Sequence, residues 1–190
     1  MSVSDFDILQ RLGEGTYSTV HKVYRKSDKS IYALKRVRLD TLSECEIAST
    51  LTEIRVLASI NHPNILGFKQ AFVEAGYLYI ITDYCGSGDL QKMIESRKRN
   101  GHYLREDEIW VVFAYIVRGL KTLHELNIVH RDIKSANIFL TEKGDIKIGD
   151  MNVSTVNKRG LIYNQAGTPY FASPEIWNCL LYTSPSPRDS

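Results

Sequence analysis

His-Arg-Asp-Ile-Lys-Ser-Ala-Asn, residues 130–137, is the stretch that decides how this 190-residue chain is interpreted. It places a carboxylate at Asp132, a cation at Lys134 and an amide at Asn137, and a second carboxylate, Asp150, follows a predicted β-hairpin. A carboxylate can accept a hydroxyl proton, a lysine can stabilise developing negative charge, and amide and carboxylate oxygens are ligands that Mg²⁺ accepts. These side chains therefore predict a polar reaction site.

A glycine-rich turn lies upstream, between two predicted strands. Leu12-Gly13-Glu14-Gly15 leads into Val20, and the missing Cβ atoms let backbone N–H groups approach phosphate oxygens. An ordinary hairpin is the alternative, and Ser18 favours it because a third glycine is usual at that position. A dinucleotide-binding domain is excluded, since its glycine turn requires a following helix and here a strand follows.

Two charged residues support the phosphate interpretation of that turn. Lys35 lies on the alternating strand after the turn, so it is expected to point back toward the phosphates. Glu53, on the next predicted helix, is expected to orient Lys35 as an ion pair. Each residue alone is more often a solvated surface group. In this order, the turn, Lys35 and residues 130–137 predict phosphoryl transfer, with Asp132 accepting the proton and Asn137 and Asp150 holding Mg²⁺.

Apolar periodicity predicts an antiparallel sheet followed by a mainly helical region. The predicted strands cover residues 6–12, 20–24, 31–39, 65–72 and 77–84, then 138–140 and 146–148 as a hairpin. A helix with a Ser43–Glu46 capping box crosses between the third and fourth strands. After the predicted lobe boundary at Cys85–Gly88 come a short helix from Leu90 and a long helix. The apolar face of the long helix carries Ile109, Phe113, Ile116, Val117, Leu120 and Leu123.

Composition narrows the classes of protein. The chain is 43% apolar and 24% charged with a net charge of +2, which gives no reason to expect a nucleic-acid partner. Its three cysteines contain no C-x-x-C pair, which argues against a disulfide framework or zinc site. No apolar run reaches the length of a membrane span. We therefore expect a soluble intracellular protein.

With these motifs in place, the chain resembles the protein kinase superfamily and, within it, the NIMA-related Ser/Thr kinases. The resemblance covers about residues 6–177; His-Pro-Asn-Ile at 62–65, Asp-Tyr-Cys at 83–85 and Gly-Thr-Pro-Tyr at 167–170 are similar to that family. Residues 149–154 resemble a protist or ciliary branch. The resemblance implies an α+β, bilobal fold: a five-stranded antiparallel N-lobe sheet with one crossing helix, and an incomplete, mainly helical C-lobe.

The resemblance also implies roles for individual residues and for partners. Asp83 and Cys85 become the hinge whose backbone binds adenine, although Cys85 is equally compatible with a plain small apolar residue. ATP and Mg²⁺ are the implied cofactors, proteins bearing Ser or Thr the substrates, and a cytoplasmic, cytoskeletal or ciliary location the setting. An ATP-binding pseudokinase is the rival hypothesis. The remaining implied ATP contacts are Leu12, Gly13, Gly15, Val20, Ala33, Lys35, the gatekeeper Thr82, Asp89 near the ribose, and Phe139.

Some features depart from the family. Asp-Met-Asn at 150–152 replaces the usual Asp-Phe-Gly, and Asn164 and Ala166 stand where relatives often carry Thr, which leaves Ser154, Thr155, Tyr163 and Thr168 as candidate phosphorylation sites. Lys134 with Thr168 implies Ser/Thr specificity.

The end of the chain also departs from the family. We expect residues 1–84 to form the N-lobe and 85–178 the hinge, catalytic loop and activation segment. Residues 179–190 back-translate to a sequencing-adapter-like sequence and are expected to be an artefact; a natural Ser/Pro-rich linker is the alternative. The chain as written is expected to be truncated, poorly soluble and inactive.

Overall fold

The first part of the molecule is an antiparallel sheet crossed by one helix. The computed structural model describes residues 2–15, 18–40, 43–150 and 155–156. The sheet has five strands in the order β1-β2-β3-β5-β4, and α1, Glu44–Ser59, connects β3 to β4. This confirms the predicted sheet and crossing helix. The strands are β1 Phe6–Glu14, β2 Ser18–Arg25, β3 Ser30–Arg38, β4 Phe68–Glu74 and β5 Tyr77–Asp83.

Side-chain alternation gives this sheet two different faces. Leu34 is 1% exposed and packs with Val23 and Phe6 in an apolar cluster on one face. Its neighbours Ala33 and Lys35 project to the other face, because successive residues of a strand alternate. Register places Lys35 opposite Val20 and Ala33 opposite Thr82. The face that carries Lys35 therefore also carries small and apolar side chains.

The second part is mainly helical. Asp89 is the N-cap of α2, where its Oδ1 accepts the Lys92 N–H at 2.8 Å. Arg97 of α2 makes a two-point ion pair with Glu108 of α3, both distances 2.7 Å, and so joins the two helices. The elements are α2 Leu90–Arg99, α3 Glu106–Glu125, β6 Ile128–Val129, β7 Ile138–Leu140, β8 Ile146–Ile148 and β9 Thr155–Val156; β7 pairs with β8 and β6 with β9.

The two parts are joined through the segment before β4. The Leu66 N–H donates to the Ile148 carbonyl at 2.8 Å, and the Ile148 N–H donates to the Asn64 carbonyl at 2.9 Å. Asn64, 4% exposed, also donates through Nδ2 to the Ile146 carbonyl at 3.0 Å. The predicted start of the fourth strand at residue 65 is therefore wrong. β4 begins at Phe68 because the preceding residues hydrogen-bond to β8 instead.

α3 packs on this junction through its C-terminal half. Leu123 is fully buried with Leu57, Ile65 and Ile128, whereas Ile109 is 50% exposed at the other end of the helix. The predicted apolar face is thus only partly covered by the described residues, since Phe113 and Val117 are also exposed. No helix in the described part of the chain is long and apolar enough to cross a membrane.

Candidate active site

A cleft of about 850 Å³ lies between the sheet and the helical part. We call its β1–β3 side the roof and the side formed by residues 130–150 the floor. All the residues that the sequence predicted to contact ATP line this cleft, and so do the two predicted metal ligands. They are Leu12, Gly13, Gly15, Val20, Ala33, Lys35, Thr82, Asp83, Cys85, Asp89 and Phe139, with Asn137 and Asp150.

The roof is formed by the glycine-rich turn and β3. Gly13 has open space where a Cβ would stand, and the Gly15 N–H donates to the Ser18 carbonyl at 2.8 Å. Lys35 lines the cleft below this turn, as predicted from strand alternation. Glu53 lies in α1, but its side chain falls outside the described residues. The Lys35–Glu53 ion pair therefore stays a prediction.

The predicted hinge, residues 83–85, lines the cleft. Thr82, which precedes these residues on β5, is 9% exposed and is the register partner of Ala33 on β3. Burial raises the pKa of the Cys85 thiol to about 11, so this thiol is neutral and unreactive at ordinary pH. Asp89 lines the cleft, but it also caps α2 and pairs with Lys92 at 3.0 Å. Both of its oxygens are thus already engaged.

The 130–137 loop brings two predicted catalytic residues, Asp132 and Lys134, together with the predicted metal ligand Asn137. Lys134 Nζ lies 2.9 Å from Asp132 Oδ2, and Asn137 Nδ2 donates to the Oδ2 and to the carbonyl of Asp132, each at 2.9 Å. Asn137 is buried, and Asp132 and Lys134 are mostly buried. A carboxylate, a cation and an amide are therefore held in fixed geometry beside the cleft.

His130 fixes the position of this loop. It is 2% exposed, its Nε2 donates to the Gly149 carbonyl at 3.0 Å, and its Nδ1 accepts the Asp132 N–H at 3.3 Å. Burial lowers its pKa below the usual value, although Gly149 and nearby carboxylates oppose this effect. A neutral imidazole with its proton on Nε2 satisfies both hydrogen bonds. His130 thus connects the loop of Asp132 to the segment of Asp150.

Asp150 adopts an unusual backbone conformation at the end of the β7–β8 hairpin. Its φ is +60°, in the left-handed region that few residues other than glycine occupy, and the φ of Arg131 is +65°. Gly149 precedes it, and a Cβ there would lie 2.7 Å from the Phe139 ring. Close packing of this kind positions Asp150 at the cleft, and such strain often accompanies functional sites.

A family model described as "Protein kinase domain" matches residues 6–187 of the chain. This chain belongs to the protein kinase family. The bilobal fold predicted for the kinase is confirmed by this match together with the five-stranded sheet. The match also accounts for finding the glycine turn, Lys35 and the 130–137 loop around one cleft.

Curated relatives narrow the family further. The serine/threonine-protein kinase Nek1 of Mus musculus is 41% identical over 88% of this kinase. Nek3 and Nek2 of the same species are 34% and 31% identical, each over 97% of it. The kinase is thus placed among the NIMA-related Ser/Thr kinases, as its motifs predicted. It spans only 14%, 35% and 44% of the lengths of these three relatives.

Several sequence predictions fall outside the described residues. These are the roles of Met151 and Asn152, the candidate phosphorylation sites Ser154, Tyr163 and Thr168, and the substitutions at Asn164 and Ala166. Thr155 is described only as part of β9. The predicted tail, 179–190, also lies outside them, and the family match extends to residue 187. These interpretations stay predictions.

Sequence reasoning missed the ion pairs of the Asp83 side chain. Its carboxylate contacts Lys69 at 2.8 Å and Lys147 at 3.3 Å. Neither lysine belongs to a motif. Lys69 lies on β4, which pairs with β5, so the register of that hairpin could have indicated it, whereas no local signal indicates Lys147.

Proposed function

We propose that the protein transfers the γ-phosphoryl group of ATP to Ser and Thr hydroxyls of other proteins. The observation that carries this proposal is the contact of Lys134 and Asn137 with Asp132, all at 2.9 Å, beside a cleft lined by every predicted ATP residue. Phosphoryl transfer depends mainly on positioning and electrostatic stabilisation, which this rigid arrangement supplies.

In the proposed complex, adenine occupies the hinge end of the cleft. The backbone of Asp83 and Cys85 hydrogen-bonds the base, which lies between Val20 and Ala33 on the roof and Phe139 on the floor. Gly13 and Gly15 let the turn approach the phosphates, and Lys35 pairs with the α- and β-phosphates. Asp89 lies near the ribose. Both of its carboxylate oxygens already contact Lys92, so we expect Asp89 to shape this end of the cleft more than to accept a hydrogen bond from the ribose.

Asn137 and Asp150 fit the role of magnesium ligands. Both line the cleft, and because Asn137 donates through Nδ2 to Asp132, its Oδ1 is left as an oxygen ligand. Bound Mg²⁺ would neutralise the phosphate charge. In the part of the chain that the structure describes, no group of three or more His, Cys, Asp or Glu side chains could hold a metal alone. Phosphate oxygens of the nucleotide would supply further ligands.

Asp132 and Lys134 carry the chemical step. The substrate hydroxyl oxygen forms a bond to the γ-phosphorus as the bond to the β-bridging oxygen breaks, and ADP leaves. Asp132 orients the hydroxyl and accepts its proton. Lys134 lies beside this carboxylate and stabilises the negative charge on the transferred group.

The finer assignments extend this proposal. We propose a general protein-serine/threonine kinase specificity, Mg²⁺ as the metal, residues 1–84 as the N-lobe and 85–178 as the hinge and partial C-lobe. By family resemblance the protein works in the cytoplasm, on cytoskeletal or ciliary structures. A net charge of +2 gives no support for a nucleic-acid partner.

The test compares Asp132→Asn with Asp107→Asn in the full-length protein. Asp107 is an exposed carboxylate on α3 that pairs with Arg105 at 2.7 Å. With Mg²⁺-ATP and a mixture of Ser- and Thr-containing peptides, Asp132→Asn should lose about a hundredfold or more of the phosphotransfer rate. Asp107→Asn should keep it. Equal rates in wild type and Asp132→Asn would refute the proposed base, and ATP binding without turnover in the wild type would favour the pseudokinase.

A further inference from the structure

The carboxylate of Asp83 is the centre of a charge cluster at the hinge. Lys69 Nζ, from β4, is 2.8 Å from Oδ1, and Lys147 Nζ, from β8, is 3.3 Å from Oδ2. The Gly67 N–H also donates to Oδ2 at 3.2 Å. Two cations and an amide therefore converge on one side chain, from both the sheet and the helical part of the molecule.

This cluster is shielded more than an ordinary surface ion pair. The side chain of Asp83 is 25% exposed and that of Lys147 is 18% exposed. Burial alone would raise the pKa of Asp83, but the hydrogen bonds and charges of Lys69 and Lys147 together outweigh it, so the pKa lies below its usual value. The carboxylate is thus ionised at neutral pH, and its hydrogen bonds are charge-assisted.

Gly67 fits the carboxylate sterically. The Asp83 N–H donates to the Gly67 carbonyl at 2.8 Å, so these backbone segments lie side by side. A Cβ on residue 67 would stand 2.6 Å from Asp83 Oδ2, which is too close for any real contact. Glycine at this position therefore lets the carboxylate occupy the point where both lysines reach it.

Lys147 connects this cluster to the floor of the cleft. It is the register partner of Phe139 in the β7–β8 hairpin, and the Phe139 side chain lines the cleft. Asp150 follows Lys147 by three residues. The Asp83–Lys147 contact thus joins the strand that carries the hinge to the hairpin that carries the opposite wall of the adenine slot.

We propose that the Asp83 side chain is a positioning group for nucleotide binding. By bridging Lys69 and Lys147, it holds the hinge at a fixed separation from the β7–β8 hairpin and so sets the width of the adenine slot. The identity of the nucleotide rests on the proposed function, whereas the link between β5 and β8 does not.

The experiment measures two quantities in the full-length protein: the affinities for adenosine and for Mg²⁺-ATP by calorimetry, and amide hydrogen exchange in β5 and β8. Asp83→Asn, Lys147→Met and the double variant remove the bridge, and Gly67→Ala displaces the carboxylate without changing any charge. Lys147→Arg preserves the charge. Asp107→Asn, which removes an exposed carboxylate on α3, is the control.

Each single bridge variant should weaken both ligands by the same factor, about tenfold, because the slot recognises the adenine part that both share. The double variant should lose no more than one single variant, exchange in β8 should accelerate, and Lys147→Arg and Asp107→Asn should behave as wild type. Unchanged adenosine affinity, or additive losses in the double variant, would overturn the positioning role. If wild type binds neither ligand while bridge variants still accelerate exchange in β8, the proposed function fails and the link stands.

Discussion

The roof and the floor of the cleft are built from the chain in different ways. On the roof, Val20 and Lys35 are neighbours on adjacent strands, so local alternation is enough to bring them together. On the floor, Asn64 reaches the Ile146 carbonyl across 82 residues, and His130 reaches Gly149 across 19. The positions of roof residues therefore depend on strand register, whereas those of floor residues depend on packing between distant segments.

The largest expected effect is a loss of phosphotransfer activity when Lys35 on the roof is replaced. Lys35→Met in the full-length protein should lower phosphotransfer by about a hundredfold or more, since it removes a cation from the proposed phosphate site. Lys26→Met is the matched control: Lys26 follows β2, its Nζ lies 3.2 Å from Asp7 Oδ1, and it is not among the residues that line the cleft. Both variants should unfold at the wild-type temperature. Similar activities of the two variants would show that Lys35 does not act on the phosphates.

The next expected effect is a difference in the free energy of unfolding between a glycine variant that contacts the floor and one on the roof. A Cβ at Gly119 would lie 2.8 Å from Ile148 Cδ1 and 2.9 Å from the Asn64 carbonyl, so Gly119→Ala should destabilise the protein by about 1–3 kcal/mol. The same change at Gly13, which has no atom of the described residues within 4 Å of the Cβ position, should cost little. Urea unfolding of both variants measures the difference. An equal loss of stability in the two would contradict the contrast between tight floor and open roof.

The sequence predicts features that depend on local patterns and does not predict those that depend on contacts between distant segments. The sheet, the crossing helix and the β7–β8 hairpin follow from periodicity. The glycine turn, Lys35 and the 130–137 loop follow from short motifs, and the remaining cleft residues follow from the family resemblance that those motifs carry. The start of β4 was placed at Ile65, because an apolar run does not reveal that Leu66 pairs with Ile148. The Asp83–Lys147 contact and the exposure of Ile109 depend on packing between distant segments, which a single sequence does not report.

The smallest effect is a pH dependence on the floor. The folded-state pKa of His130 is lowered from 6.5, so the unfolded chain binds the proton more readily. Stability from the neutral imidazole is present above about pH 6.5 and should fall as the pH drops through the folded pKa, with a limit of about 1.4 kcal/mol per unit of difference. In His130→Gln, the free energy of unfolding should change less with pH between pH 7 and about pH 5 than it does in wild type.

A control histidine keeps this result specific. His21 on the outer part of β2 also has a lowered pKa, caused by burial and then by Arg36 and Arg11. Because it is far more accessible than His130, His21→Gln should change the slope less. A slope that disappears in His21→Gln and persists in His130→Gln would place the pH dependence on the roof instead.

If roof and floor bind Mg²⁺-ATP together, ATP binding depends on the metal through Asp150. ATP affinity is measured with and without Mg²⁺ in wild type, in Asp150→Ala and in Asp145→Ala, which removes an exposed carboxylate from the β7–β8 turn. We predict that Mg²⁺ strengthens binding to wild type and Asp145→Ala, and that Asp150→Ala loses this gain while keeping metal-free affinity. An ATP affinity that does not change with Mg²⁺ in wild type, or that still increases with Mg²⁺ in Asp150→Ala, would show that Asp150 does not bind the metal together with the nucleotide.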